Sequence, residues 1–192
     1  MENVSLHNAL ARIVGSEHVL TGSAIADDYT HDEALTLTPA RPDVLVRPES
    51  AAQIAAILQL ANAQRVPVTA RGSGTGLSGA CVAKRGGILI SFERMRSVIE
   101  IDTANQVAVV QPGVTLAQLE EAFVPRGFKV LSVALPPGVL HLKSVCSPLG
   151  DGRVLLAEGT IPPGILGGAD VLLVPAADAP SANCVSLGRH AI

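Results

Sequence analysis

Aromatic side chains are scarce in this sequence of 192 residues, which holds one Tyr, three Phe and no Trp. A hydrophobic core must therefore be built from Ala, Val, Leu and Ile, and few rings remain that could stack on a flat ligand. Positive charge is also limited, because 14 Lys and Arg stand against 17 Asp and Glu and form no cluster. This balance excludes nucleic acid as a partner, since binding a phosphate backbone requires a concentrated basic surface.

Only three cysteines occur, Cys81, Cys146 and Cys184, and no two of them have CxxC spacing. An odd number without that spacing indicates reduced intracellular thiols, not a disulfide framework or a zinc site. The first 13 residues lack the continuous apolar stretch of a signal peptide. No run approaches the roughly 20 apolar residues that span a bilayer. We therefore expect a soluble cytoplasmic protein without a membrane span.

The N-terminal region, residues 1–37, is predicted to be a helix followed by a loop. Apolar residues recur at helical spacing over residues 5–14, which favours a short amphipathic helix. Residues 15–40 are polar and irregular, with acids and a His close together at 27–33. Such a cluster could bind a metal ion. A connecting segment of mixed charge is more often a solvated loop, however, and a loop is our prediction.

The region from residue 38 to residue 124 alternates strand-like and helix-like segments. Ser50 and Gln53 form a capping-box pattern that begins a helix, and the apolar runs on either side of this helix predict a strand-helix-strand unit. Thr115 and Gln118 repeat the capping pattern before a second helix. The predicted strands of this region are 43–47, 66–70, 87–92, 97–102 and 107–111.

The sequence changes in character after about residue 124. Prolines and glycines separate short strand-like runs there, and no helix is predicted. We therefore place a boundary near residue 125 and predict an α+β protein, with an α/β lobe at 38–124 and a small strand-rich tail at 125–192. The strand-like runs of the tail are 128–135, 139–145, 153–157, 170–174 and 183–187.

Four glycines lie within eight residues in the segment from Arg71 to Gly79, directly after a predicted strand. Glycine tolerates positive φ, and without a Cβ it lets the backbone approach a ligand closely. A run of such residues turns successive N–H groups toward one concavity, which suits a phosphate oxygen. Ser73, Thr75 and Ser78 can add hydroxyl donors. A plain turn would need only two such residues, so we predict an anion-binding loop.

Two common nucleotide motifs do not fit this loop. Residues 74–79 match the GxGxxG pattern, but that pattern requires a helix directly afterwards. Residues 80–84 are too short for this helix, because Gly86 and Gly87 interrupt the chain before the next strand. Asp102 lies at a plausible distance for a ribose-binding acid but carries little weight without the helix. A P-loop is excluded because no Gly-Lys-Ser/Thr sequence ends the run.

Five segments between residues 47 and 114 carry a family resemblance. They are, in chain order, Arg47-Pro48-Glu49-Ser50, Val66-Pro67-Val68, Arg71 through Gly79, Gly87-Ile88-Leu89-Ile90-Ser91 and Val110-Gln111-Pro112-Gly113-Val114. Over about residues 5–125 the sequence resembles the PCMH-type FAD-binding domain of the vanillyl-alcohol oxidase and p-cresol methylhydroxylase superfamily. It looks most like the FAD-linked 2-hydroxy-acid dehydrogenases, glycolate oxidase and D-lactate dehydrogenase, and the segment 28–33 resembles their N-terminal region.

The resemblance implies FAD as the cofactor and 2-hydroxy-acid oxidation as the reaction. In that family the glycine loop wraps the FAD pyrophosphate, and the Pro-Gly-Val turn lies against the cofactor. Backbone amides suit a diphosphate, and an apolar turn suits a flat ring. The cofactor-binding residues that the resemblance implies are Arg71, Gly72, Ser73, Gly74, Thr75, Gly76, Leu77, Ser78, Gly79, Pro112, Gly113 and Val114.

The resemblance stops before the part of the family that carries the chemistry. The Pro-rich segment and the Ile-Gly-Gly-Asn-type stretch of the family do not follow Phe128, and the substrate domain is missing. We therefore expect half of a flavin site, not catalytic alone, in a chain too short to be a complete enzyme. A protein partner could supply the missing half. A non-catalytic protein that binds a nucleotide or another chain is an alternative.

The tail, about residues 126–192, resembles a different family. The segments 139–147 and 180–185 are similar to dimethylarginine dimethylaminohydrolase, a guanidine-modifying enzyme of the pentein fold. The resemblance implies a catalytic role for His141, for example as a general acid. Cys146 and Cys184 occupy motif positions that are not the nucleophile of that family. A hydrolase fragment is therefore a second interpretation, although a lone His between two leucines is more often structural.

Overall fold

The computed structural model describes residues 2–187, 190 and 191. The chain divides into two compact units, Met1–Arg126 and Gly127–Ile192. The boundary predicted from the sequence lies near residues 123–128. No helix in the described part of the chain has the length and apolar character needed to cross a membrane.

The first unit is built on a four-stranded sheet. Its strands are β1 (Val19–Thr21), β2 (Val44–Val46), β3 (Val68–Arg71) and β4 (Ile88–Ser91), in the order β1-β2-β4-β3. β2, β4 and β3 are parallel, and β1 is antiparallel to β2. β4 therefore lies between the two strands of the predicted strand-helix-strand unit, and the carboxyl ends of three strands meet at one edge.

Both faces of this sheet are covered. Side chains alternate between the two faces along each strand, so a strand can pack against other elements on both sides. The helices α1 (Glu2–Val14) and α2 (Ala51–Gln64) cover one face. Their buried side chains, among them Leu10 and Ile57, pack with Val44, Val46, Ile88 and Ile90 of the strands. Ile25 packs on the opposite face against Leu45 and Leu89. Burial on both faces explains the continuous apolar runs in β2 and β4.

The rest of the first unit is a hairpin and a short helix. β5 (Val98–Asp102) pairs antiparallel with β6 (Val107–Val110). The carboxylate of Asp102 accepts hydrogen bonds from the backbone of Ala104 and Asn105 and from the Asn105 side chain, which together hold the turn. α3 (Leu116–Phe123) begins with the predicted capping box, because Thr115 Oγ1 accepts from Gln118 N and Gln118 Oε1 accepts from Thr115 N.

The second unit holds a three-stranded sheet of β7 (Cys146–Gly150), β8 (Arg153–Ala157) and β9 (Asp170–Val174). β7 and β8 are antiparallel and joined by Asp151 and Gly152, whose φ values of 52° and 74° are typical of a tight hairpin turn. β8 and β9 are parallel. Beyond them, β10 (Ser186–Leu187) pairs with β11 (His190–Ala191).

Three sequence predictions of secondary structure were wrong. The segment 15–40 is not wholly irregular, because β1 forms in it and buries Val19 against the sheet. Residues 128–135 form no strand, and 139–145 holds a short 3-10 turn at Leu142–Ser144 instead of a strand. An apolar segment forms a strand only where a neighbouring strand completes its backbone hydrogen bonds, and the local sequence does not show whether one is present. No described strand pairs with 128–135.

Candidate functional site

The glycine-rich segment, residues 72–79, leaves the sheet at the carboxyl end of β3. Arg71, the last residue of β3, is directly opposite Ser91, the last residue of β4. The site therefore begins at the edge where the parallel strands end, the position at which α/β sheets usually bind ligands. Arg71 and Ser91 are both buried, whereas most of residues 72–79 are exposed.

Two glycines of this loop are required by the fold. Gly74 has a φ of 81°, and a Cβ there would come within 2.0 Å of Arg71 Nη2. Gly79 has a φ of 71°, and a Cβ there would meet the side chain of Leu37. Side chains rarely adopt this left-handed backbone conformation. Only glycine therefore allows the loop its observed path at these two positions.

The other two glycines of the loop are not required by the fold. Gly72 has no positive φ, and a Cβ there would meet nothing within 4 Å. Gly76 has no positive φ either, and its added Cβ would come only within 3.8 Å of Asp32. Both residues are exposed. The space that side chains would occupy at these positions is open, which suits the close approach of a ligand to the backbone.

Arg71 holds the base of the loop. Its guanidinium donates to the backbone oxygens of His31 and Asp28, at 2.6 Å each. The same group lies over the ring of Tyr29. Since the guanidinium is buried and donates to two carbonyls, Arg71 tethers the loop to the segment 28–33.

The segment 27–33 braces the loop. Its acids and His were the alternative candidates for a metal site. The Glu33 amide donates to the Gly76 carbonyl at 3.0 Å, and the buried Asp32 side chain accepts from the Ala34 amide. Cys81 lies 3.6 Å from Asp32, and burial raises the pKa of its thiol. Within the residues that the structure describes, no group of three or more His, Cys, Asp or Glu could hold a metal ion.

A second polar cluster forms around Glu93, just beyond β4. Tyr29 donates to Glu93 at 2.6 Å, and Arg47 and Ser91 donate to it at 3.2 Å each. Burial works against ionisation of Glu93, but these hydrogen bonds outweigh it and the pKa of the carboxyl is lowered. Burial, together with the hydrogen bond to Glu93, raises the pKa of Tyr29 to about 12. Glu93 is therefore ionised and Tyr29 neutral at pH 7.

The Pro112–Val114 turn is packed against the residues that follow β4. The Gly113 amide donates to the Met95 carbonyl at 2.9 Å. A Cβ at Gly113 would come within 2.1 Å of the Phe92 carbonyl oxygen and 2.8 Å of that of Met95. Glycine is thus required here because two stretches of backbone approach each other too closely for a side chain.

The loop and this turn face one cleft of about 760 Å³. Seven of the twelve residues that the resemblance implied line it, and Gly74, Gly76, Leu77, Ser78 and Gly79 do not. The sequence patterns missed seven further lining residues, which only the tertiary structure brings to the cleft. The implied residues in the lining are Arg71, Gly72, Ser73, Thr75, Pro112, Gly113 and Val114, and the missed ones are Asp28, Tyr29, Glu93, Arg96, Thr115, Leu116 and Ala117.

His141, the one catalytic candidate from the sequence, lies in the second unit. It is exposed and precedes the 3-10 turn Leu142–Ser144, where its carbonyl accepts from the Ser144 amide at 3.0 Å. Cys146 is half-buried on β7, and burial raises the pKa of its thiol. Ser147 is buried and donates to the Ala182 carbonyl at 2.7 Å. A catalytic role for His141 remains a prediction from resemblance.

Comparison with known protein families identifies the first unit. A family model described as an FAD binding domain matches residues 42–140, just over half of the 192 residues. The chain belongs to this family. This match ends at residue 140, whereas the resemblance found in the sequence covers about residues 5–125. Residues 128–141 form no helix or strand, so periodicity offers no signal there.

Curated relatives of the FAD-binding domain are FAD-linked oxidoreductases. An uncharacterized FAD-linked oxidoreductase of Mycobacterium tuberculosis is 52% identical over 119 residues, which are 62% of this chain and 26% of the relative. A D-lactate dehydrogenase of Anaerostipes hadrus is 39% identical over 56% of this chain and 23% of the relative. A glycolate oxidase subunit of Bacillus subtilis is 33% identical over 62% of this chain and 25% of the relative. The chain spans about a quarter of the length of these relatives.

Solved structures confirm the α+β, PCMH-type fold of the FAD-binding domain. A 4-ethylphenol oxidase from Gulosibacter chungangensis aligns with a TM-score of 0.58 and 26% identity, over 66% of this chain and 25% of that chain. A substrate-bound p-cresol methylhydroxylase aligns with a TM-score of 0.57 and 22% identity, over 65% of this chain and 25% of that chain. FAD is therefore the cofactor of this domain, as the resemblance implied. The open space at Gly72, which lines the cleft, fits a diphosphate against the backbone.

Proposed function

We propose that the cleft at the carboxyl edge of the sheet is the FAD site, with the diphosphate against residues 71–79 and the Pro112–Val114 turn beside the cofactor. The observation that carries this proposal is Gly72, which lines the cleft, while Gly76 lies in the same loop outside the lining. Both lack a side chain where the fold leaves room for one. Backbone N–H groups can then approach phosphate oxygens without a Cβ in the way.

In this proposal the chain binds and orients the cofactor. Arg71 holds the loop through two carbonyls. Ser73 and Thr75 add hydroxyl groups, whose oxygens are 3.0 Å apart in the cleft lining. Bound FAD would supply a hydride acceptor. We propose a 2-hydroxy acid as the substrate class, because relatives named D-lactate dehydrogenase, D-2-hydroxyglutarate dehydrogenase and glycolate oxidase share this domain.

We further propose that a protein partner binds this domain and contributes to the flavin site. The β5–β6 hairpin supports this proposal, because Ile99, Val107 and Val109 are exposed to 65%, 50% and 43%. Val107 and Val109 are two residues apart and therefore share one face of the strand. Exposed apolar side chains on adjacent strands are typical of an interaction surface.

A cytoplasmic location is also part of the proposal, and its support is the set of three unpaired cysteines. Fractionation of cells that express the protein tests this location. Recovery in a secreted or membrane-enclosed oxidising compartment would contradict it.

FAD binding at this site is tested with a double substitution, Gly72→Ala with Gly76→Ala. The fold has space for both methyl groups, so the variant should unfold at the same temperature as the wild type. We expect the wild type to keep flavin absorption bands through gel filtration and the variant to bind FAD about tenfold more weakly, since the loss of one hydrogen bond to a charged phosphate costs roughly this much. The control is Gly164→Ala, also without positive φ and with no atom within 4 Å of an added Cβ. Equal FAD affinity in all three proteins would disprove the placement.

The partner proposal is tested by adding, as a separate polypeptide, the three-quarters of the Mycobacterium tuberculosis relative that this chain does not match. Co-elution with the chain, higher FAD retention and reduction of an artificial acceptor by D-lactate or glycolate are expected. The variant Val107→Ser with Val109→Ser should abolish co-elution. The control is Leu58→Ser, an exposed apolar residue of α2. Absence of co-elution with the wild type would contradict the proposal.

A further inference from the structure

The charged side chains in the lining of the cleft differ in whether hydrogen bonds within the protein already occupy them. They are Asp28, Arg71, Glu93 and Arg96. Arg71 donates to two backbone oxygens, and Glu93 accepts from three side chains. Arg96 is exposed and takes part in no side-chain hydrogen bond or ion pair within residues 2–187. It is therefore the cation of the lining whose guanidinium is available to a ligand.

The backbone at Arg96 is held next to the Pro112–Val114 turn from both sides. On one side the Met95 carbonyl accepts from the Gly113 amide at 2.9 Å. On the other side the Ser97 amide donates to Gln111 Oε1 at 2.8 Å, and the Ser97 carbonyl accepts from the Gln111 amide at 2.9 Å. Met95 itself is buried. The base of the Arg96 side chain is thus placed at the cleft even though the side chain is exposed.

A diphosphate brings two negative charges that the glycine loop does not neutralise. The loop can offer N–H and hydroxyl donors, which carry no net charge, and the buried guanidinium of Arg71 is used within the fold. A guanidinium binds a phosphate through two parallel N–H donors, with hydrogen bonds that are shorter and stronger than those between neutral groups. Arg96 is therefore the cation of the lining that is free for such a contact to phosphate within the described residues.

We propose that Arg96 binds the diphosphate of FAD together with the neutral donors of the loop, an inference that rests on the proposed FAD site. Arg96 is the specificity-determining residue for the charged part of the cofactor. It distinguishes a flavin that carries phosphate from one that does not. A solvated surface charge without a ligand is the other interpretation of an exposed Arg, and it predicts no effect of Arg96 on cofactor binding.

The experiment compares the wild-type chain with Arg96→Gln, Arg96→Lys and Arg85→Gln by flavin fluorescence, with FAD and with riboflavin as ligands. Arg85 is exposed in the turn before β4, at the opposite end of that strand, and its substitution makes the same change in charge. We expect Arg96→Gln to weaken FAD binding about tenfold, the size typical of a hydrogen bond to a charged group. Riboflavin affinity should not change, and Arg96→Lys should recover part of the loss. The FAD affinity of Arg96→Gln should also depend less on salt.

The outcomes separate this inference from the proposed function. FAD bound equally well by the wild type and by Arg96→Gln would disprove the role of Arg96 and leave the FAD site in place. An equal loss of FAD and riboflavin binding would show that Arg96 acts on the fold or on the ring, and would also disprove it. A wild-type chain that binds no FAD would overturn the proposed site and this inference together.

Discussion

The guanidinium of Arg71 lies over the ring of Tyr29, with the Arg71 Cζ 5.6 Å from the ring centroid. The same guanidinium donates to the carbonyls of Asp28 and His31, on either side of that tyrosine. One buried cation thus ties the end of β3 to the segment that braces the glycine loop. Tyr29 also donates to Glu93, so the contact joins the two polar clusters of the cleft.

Replacement of Arg71 tests this tie. Arg71→Lys keeps the charge but cannot reach both carbonyls with a planar fork of donors, so one buried carbonyl loses its charged partner. We expect the free energy of unfolding to fall by about 2 kcal/mol, the usual size of a hydrogen bond to a charged group. Chemical denaturation measures this change. Arg85→Lys, at an exposed position, should leave stability within about 0.5 kcal/mol of the wild type. Equal stability of the two variants would show that the hydrogen bonds from Arg71 to the carbonyls of Asp28 and His31 do not stabilise the fold.

The two kinds of glycine in the loop should respond differently to alanine. Gly74→Ala forces a side chain into a left-handed conformation, which costs roughly 1–2 kcal/mol, and drives its Cβ into the held guanidinium of Arg71. Gly76→Ala meets neither penalty. We expect a lower midpoint of thermal unfolding for Gly74→Ala alone, measured by circular dichroism. A comparable loss in Gly76→Ala would contradict the distinction between the glycines that the fold requires and those that it does not.

Gly113→Ala probes the close approach between the Pro112–Val114 turn and the residues after β4. A Cβ only 2.1 Å from the Phe92 carbonyl oxygen forces the two backbone stretches apart. We expect a loss of about 1–3 kcal/mol in the free energy of unfolding, the range for overpacked sites. FAD affinity should fall as well, because the displaced turn lines the cleft. Gly164→Ala serves as the control, and a variant as stable as this control would show that the turn can move without cost.

Tyr29 is the only tyrosine of the chain, and there is no tryptophan, so its absorbance at alkaline pH reports on one site. We expect this tyrosine to titrate with a pKa of about 12 instead of the ordinary 10. The raised pKa means that the folded chain holds this proton more tightly than the unfolded chain. Stability from Tyr29 is therefore complete below pH 10 and is lost as the pH rises from 10 to about 12.

The Tyr29 titration has two controls. In concentrated denaturant the pKa should return to the ordinary value, since burial and the Glu93 contact are gone. Glu93→Gln should lower the pKa of Tyr29 in the folded chain, because a neutral amide no longer opposes the negative phenolate. An ordinary pKa in the folded wild type would contradict both the burial of Tyr29 and its hydrogen bond to Glu93 in solution.

Local parts of the fold could be predicted from the sequence. Ser50 caps α2 by accepting from the Gln53 amide, and Thr115 and Gln118 cap α3, as their spacing indicated. Each of these interactions closes within three or four residues, so the spacing of residue types is enough to reveal it. The strand β1 could not be predicted in this way, because its three residues become a strand only when β2 pairs with them.

The sequence by itself determined the chemistry of the site, a glycine-rich loop after a buried strand that suits a phosphate, and with it the FAD-binding family. Which residues line the cleft was decided by the tertiary structure alone. Tyr29 donates to Glu93, which is 64 positions away in the sequence, and Arg71 donates to the His31 carbonyl, which is 40 positions away. Such contacts leave no periodic or spacing signal, since they exist only once the sheet edge, the bracing segment and the Pro112–Val114 turn have packed together. Arg96 belongs to this second class, because nothing in its sequence neighbourhood distinguishes it from an ordinary surface charge.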